Sequence, residues 1–225
     1  PLIIPTVGRG REQEVQATID AYQTAAKQVA TWELEVLIIT FPHQVMYTNY
    51  FHISPGRGAT GDMSAFGASE TKTVVEYDAP LRDEVIRCGE AANIRMGTLG
   101  QRDPYLDHGT FVPLYFLREA GVDCPILRIG LSGSSPLDHY RLGQCIAQAV
   151  ENLCRRAVFI ASGDLSHKLK DDDPDGFVPE GLEFDRQVTE AMTAGDFLRF
   201  LTIAPVLCER AASAVYDPSK SWPAR

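Results

Sequence analysis

The chain has 225 residues, 44% of them hydrophobic and 23% charged, with a formal net charge of −9 at pH 7. That is enough for one large α/β domain with a real core over residues 1–225. The acidic balance, with no dense Lys/Arg block, argues against nucleic acid or an anionic membrane as partner. No apolar run approaches the ~20 residues of a membrane span and no signal peptide is visible, so a cytoplasmic protein is expected. The five cysteines, Cys88, Cys124, Cys145, Cys154 and Cys208, are scattered without a CxxC pair. They read mostly as buried thiols in a reducing cytoplasm, rather than as a zinc site or a disulfide framework.

Leu2 to Pro5 reads as the end of a first strand. No initiator Met stands before Pro1, so a few residues are expected to precede it. Thr6 to Arg11 is a Gly-rich turn. The spacing Val15, Ile19, Tyr22, Ala26, Val29 predicts an amphipathic helix over 12–31. Glu35 to Thr40 is a continuous apolar, largely β-branched run, which predicts a buried strand ending at Phe41-Pro42-His43. Met46 to Gly67 reads as a long loop whose Tyr47, Tyr50, Phe51 and His52 are unusual for a linker, and long loops inside compact domains often carry function.

A strand at Val74–Tyr77, a helix at Ala79–Ala92 and a short strand or turn at Arg95–Leu99 follow. Asp107 is placed to cap a helix over Thr110–Ala120. Ile126–Leu131 predicts a strand, Pro136–Cys154 a helix, and Arg156–Ile160 another buried strand. Lys168–Pro179 is an acidic loop, and helices are expected over Leu182–Ala194, Asp196–Leu201 and Glu209–Ala214. The tail from Val215 to Arg225 has no regular pattern. Strands alternating with helices predict a single three-layer domain, a mostly parallel (mixed) sheet flanked by helices.

The stretch Ala161-Ser162-Gly163-Asp164-Leu165-Ser166-His167 follows the last predicted strand. Ligands of open α/β sheets bind at such carboxyl ends, and a polar cluster there costs desolvation unless something uses it. A capping turn built on Asp164 or Ser166 would explain the same residues. His43 and His108 decide between the two, because they too fall at a strand end and a helix start. Histidine is the commonest metal ligand and the commonest acid/base group near neutral pH. Asp107, Asp164 and Asp62 could orient a ring or complete a metal site, and His52 is a further lining candidate. His139 reads as an ordinary helix-surface residue. No GxSxG elbow, P-loop or GxGxxG pattern is present.

Together, Phe41-Pro42-His43, the run Leu106-Asp107-His108-Gly109-Thr110-Phe111-Val112-Pro113-Leu114 and the stretch Ala161 to His167 resemble the class III extradiol dioxygenase superfamily. Tyr50-Phe51-His52-Ile53-Ser54-Pro55-Gly56 and His139-Tyr140-Arg141-Leu142-Gly143-Gln144-Cys145-Ile146 are most similar to the dioxygenase-like domain of AmmeMemoRadiSam system protein A, a Memo-like subgroup. The resemblance covers roughly Pro1 to Ala212. It implies a non-heme Fe(II), or another divalent metal, held by two histidines and a carboxylate or thiolate. His43 matches the second metal histidine. His108 and His167 match residues that assist substrate deprotonation and handle oxygen. The first metal histidine of the family falls before Pro1 and the third ligand falls shortly after Ala212, where Ser213-Ala214-Val215-Tyr216 match no carboxylate. The expected first and third ligands are thus not present in this sequence. The resemblance implies a catechol-type aromatic and O2 as substrates, with a homo-oligomer or a fused second domain as further expectations. The alternative is a Memo-like protein that binds metal or a peptide-like partner without cleaving rings.

Overall fold

A computed structural model describes residues 1–43, 45–102, 104–171 and 176–211. In chain order the elements are α1 (Pro5–Gly8), α2 (Gln16–Ala30), β1 (Val36–Phe41), β2 (Phe51–His52), β3 (Gly58–Met63), β4 (Ala68–Glu76) and α3 (Ala79–Ala91). Then come β5 (Met96–Gly97), α4 (His108–Glu119), β6 (Ile126–Gly130), α5 (Pro136–Asn152), β7 (Ala157–Ala161), α6 (Pro179–Ala194) and α7 (Pro205–Ala211).

The central sheet has the order β6-β1-β7 and is parallel throughout, with Ile39 opposite both Arg128 and Ile160. The short parallel pair β2–β5 joins it through a bridge between Ile53 and Ile129. The antiparallel hairpin β3–β4 stands apart, with a register irregularity at Asp62 and Met63.

Side-chain alternation along the strands divides the core into layers. Leu37, Ile39 and Ile126 pack on one face with Ile4, Ile19, Met63, Phe111, Leu114 and Phe116. Val36, Ile38, Leu127 and Ile129 pack on the other with Phe51, Ile53, Leu81, Val85, Leu142 and Ile146. Helices α2 and α4 cover the first face, and α3 and α5 cover the second. The result is an α/β fold with a mostly parallel sheet between helices. A small third core of Phe184, Val188, Cys208 and Ala211 holds α6 to α7. All five cysteines are free thiols, and among the described residues no helix is long and apolar enough to cross a membrane.

Several local expectations need correction. Pro1 to Ile4 is a turn, closed by Ile4 N–H donating to the Pro1 carbonyl at 2.9 Å, and Pro5 then starts a short helix. Proline has no N–H for a ladder, and its fixed φ suits the first helical position, so the apolar run Leu2-Ile3-Ile4 anchors a helix instead of extending a strand. The segment from Met46 to Gly67 is not structureless, because it contains β2 and β3. The strand expected at Val74–Tyr77 is the end of a longer one, whose Ser69-Glu70-Thr71-Lys72 portion faces solvent and so lacked an apolar signal. Pro179 starts α6 earlier than expected. Leu198 to Leu201 lie in a 3-10 turn. The last helix among the described residues is Pro205–Ala211. The tail from residue 212 and the centre of the acidic loop, residues 172–175, lie outside the described residues.

Candidate active site

The polar centre lies where β1 and β6 end, on the α2/α4 face. It begins with a charge inside the core. Arg128 sits in the apolar strand β6 with 1% of its surface exposed. Its guanidinium donates from Nη2 to Asp107 Oδ1 at 3.0 Å, from Nη1 to the Tyr105 carbonyl at 3.2 Å and from Nε to Thr110 Oγ1 at 3.2 Å. Its charge also stacks 4.0 Å from the centre of the Phe41 ring. A buried charge persists only when paired and hydrogen-bonded in this way.

Asp107 is the hub. As N-cap of α4 it accepts from Gly109 N–H at 3.0 Å and from the Thr110 hydroxyl at 2.6 Å. Its Oδ2 lies 3.0 Å from His43 Nδ1. Burial pushes the Asp107 carboxyl up, but the bonds from His43 and Thr110 and the Arg128 charge outweigh it and hold the group well below the usual carboxylate range. A carboxylate only accepts, so His43 Nδ1 carries the hydrogen, and a neutral ring presents Nε2 as a lone-pair donor. Gly109 makes this approach feasible, since a Cβ there would meet Asp107 Oδ2 at 2.8 Å and His43 Nδ1 at 2.9 Å.

The His43 and His108 rings pack with centroids 4.2 Å apart. Burial lowers the His108 pKa, and nearby His43 lowers it further, against opposing pulls from Asp107 and Asp164. Phe66, from the turn joining β3 to β4, meets His108 edge-on at 5.6 Å. After β7, the Ser162 hydroxyl donates to the Gly109 carbonyl at 2.6 Å and ties the end of that strand to the first turn of α4. His167 Nε2 lies 3.2 Å from Asp164 Oδ2. That bond leaves Nδ1 as the basic nitrogen of a neutral His167 ring.

The structure therefore brings His43, Asp107 and His108 into contact, and connects Asp164 to His108 by charge and to His167 by a hydrogen bond. No helix follows Asp164 directly, so the capping role considered for it does not apply. Ser166 is structural, with its hydroxyl donating to the Ala211 carbonyl at 2.9 Å. Two lining candidates are engaged in other ways. Asp62 accepts from Ser64 N–H at 2.8 Å and shapes the hairpin turn. His52 is fully buried in β2, its ring 6.0 Å from that of Tyr47, with neither nitrogen hydrogen-bonded, and so offers no surface to a solvent-borne ligand. Burial and Arg128 both lower its pKa. His139 bonds its own helix turn through the Ser135 carbonyl.

Arg128 and Phe66 carried no assigned role in the sequence, and Thr110 and Ser162 stood only as members of longer motifs. Arg128 alone carried a signal, an arginine interrupting Ile126-Leu127-Arg128-Ile129.

The fold and the site define a class of α/β protein that gathers imidazoles and carboxylates at its strand ends, where ligands of such sheets bind. Comparison with known families gives the class its name. Residues 1–222 match the model of the catalytic LigB subunit of aromatic ring-opening dioxygenase. The chain belongs to this family, and so to the class III extradiol dioxygenase superfamily. It is 32% identical over 203 residues to Protein CA_C1420 of Clostridium acetobutylicum, covering 87% of this chain and 43% of that protein. It is 25% identical over 169 residues to the 2,3-dihydroxyphenylpropionate/2,3-dihydroxicinnamic acid 1,2-dioxygenase of Escherichia coli, covering 69% of this chain and 51% of that enzyme. The chain thus spans about half the length, or less, of these curated relatives.

The family implies a divalent metal. Among the described residues no group of three or more His, Cys, Asp or Glu side chains stands close enough to hold one unaided. His43 fits as a single ligand. A ring whose other nitrogen donates to a buried carboxylate is oriented and made more basic, as metal-bound histidines are.

Proposed function

We propose that the protein opens a catechol-type aromatic ring with O2 in a reaction dependent on a non-heme divalent metal bound through His43. The observation that supports this most is the Arg128–Asp107–His43 chain. It fixes the tautomer of His43 and leaves Nε2 for a metal, directly beside His108. Fe(II) at this position would supply Lewis acidity toward the diol and redox chemistry toward O2.

The chain's own residues supply binding and proton handling. A catechol must lose a proton to chelate, and His167 Nδ1 is the base for it, with Asp164 accepting from Nε2–H and orienting the ring. His108, neutral because it is buried beside another imidazole, orients substrate or oxygen through a ring hydrogen bond without bringing a competing charge. The aromatic rings of Phe66 and His108 keep water from one side of the substrate.

The test is anaerobic binding of catechol to the Fe(II)-loaded complete protein, followed by admission of O2. A ring-opened conjugated product should appear as new near-visible absorbance, and the same protein without iron should give none.

A further inference from the structure

We propose that Phe66 is a specificity-determining residue: the half-exposed phenyl, held edge-on to His108 by a rigid hairpin turn, is the face on which the substrate's aromatic ring packs. The inference rests on the ring-opening reading above and adds a residue to it.

Phe66 is 39% exposed although it belongs to an otherwise well-anchored segment. The turn that carries it is pinned from several directions. Asp62 accepts from Ser64 N–H at its start, and Gly67 N–H donates to the Ser64 carbonyl at 2.9 Å at its end. Gly67 takes φ +76°, the left-handed conformation in which a side chain would be strained. Arg9, itself in the left-handed region at φ 52°, donates from its guanidinium to the Gly67 carbonyl. Thr6 and Thr71 share a hydrogen bond of 2.6 Å that fastens β4 to α1. A phenyl fixed in this way has little freedom to fold back over its own exposed surface.

One part of the ring is used by His108, at 5.6 Å and 78°. The remainder is apolar surface left open beside the His108 imidazole, which in turn packs on His43. Phe66, His108 and His43 form a continuous row of rings, apolar at one end and nitrogen-bearing at the other. That row matches a planar aromatic diol, with its ring against the phenyl and its oxygens toward the imidazoles. An aromatic pair contributes about 0.5–1.5 kcal/mol beyond the area it buries, or roughly a 2- to 12-fold change in affinity.

The experiment is anaerobic calorimetric titration of catechol into Fe(II)-loaded complete protein, as wild type, Phe66→Leu, Phe66→Ala and Phe66→Trp. Metal content and thermal midpoint are measured on each preparation. We expect Phe66→Leu to weaken catechol binding by roughly 2- to 12-fold and Phe66→Ala by about 5-fold or more, with metal content unchanged, and Phe66→Trp to retain wild-type affinity within about 2-fold. Phe66→Ala should also bind 4-tert-butylcatechol better relative to catechol than wild type does, because the wall has been removed. Wild-type binding in all three variants would overturn the inference and leave the ring-opening reading intact. Wild-type affinity in Phe66→Leu alone would overturn it as well, since bulk rather than the aromatic face would then suffice. A metal-loaded wild type that binds no catechol would overturn both.

Discussion

His43 Nδ1 donates to Asp107 Oδ2 across 3.0 Å, and the same carboxylate is held from behind by the buried guanidinium of Arg128. The orientation of a ring at the protein surface is therefore set by a charge in the core. Asp107 carries a stability consequence of its own. Its folded pKa lies below the ordinary value near ~3.9, so its contribution is fully present above that value and is lost as pH falls through the depressed folded one. The urea midpoint of wild type should drop more steeply between about pH 5 and pH 2 than that of Asp107→Asn. Parallel acid profiles would show that Asp107 is not held ionised by its neighbours.

Removing the cation should be more damaging than removing an ordinary core residue. Arg128→Met fits the apolar strand but leaves Asp107 without its ion pair and the Tyr105 carbonyl without this donor. A loss of about 3–5 kcal/mol is expected, the usual cost of stripping one partner from a buried pair. Denaturant unfolding measures it, and a change under about 1 kcal/mol would mean that the pair contributes little.

Gly109 offers a milder perturbation of the same geometry. The Cβ of Gly109→Ala would press on both Asp107 Oδ2 and His43 Nδ1. The complete protein should stay folded but lose metal affinity by roughly 10- to 100-fold, the range seen when groups supporting a ligand are disturbed. Competition with a chelator reads the affinity, and an unchanged value would separate this bond from metal binding.

Much of the architecture was legible in the chain because burial leaves a pattern. The runs Val36–Phe41 and Ile126–Gly130 are apolar on both faces, as strands covered on both sides must be, and the helices between carried their stripes. The hairpin β3–β4 was hidden because Gly58-Ala59-Thr60-Gly61-Asp62 has neither bulk nor clean alternation and its partner strand is polar on its open face. In the site, Asp107 was visible as a cap and the histidines as strand-end residues. The contact between His43 and His108 was not, because it depends on how β1 and α4 approach one another. His52 sits in a segment rich in aromatic and polar residues that reads like a ligand-binding loop, but the alternation that sends Phe51 and Ile53 into one core carries His52 into the interior on the opposite face. Arg128 shows the limit from the other side: its partners Tyr105, Asp107 and Thr110 lie on a loop and a helix whose approach to β6 no local pattern encodes.

His167 is assigned proton transfer, so its loss should separate chemistry from metal binding. His167→Gln retains polarity and approximate size but cannot serve as a base near neutrality. Turnover of the Fe(II)-loaded complete protein should fall by about 10²–10⁴-fold, with metal content equal to wild type. Equal turnover would remove His167 from the reaction without touching the reaction class.

The most direct test is an oxygen electrode. Complete protein reconstituted anaerobically with Fe(II), its metal content verified, is supplied with a panel of catechols. The ring-opening account predicts oxygen uptake that depends on the catechol, with one O2 consumed per ring opened, and predicts that His43→Ala loses both the metal and the uptake. Metal-replete wild type that consumes no oxygen with any catechol would contradict it and favour a Memo-like protein that binds without cleaving rings.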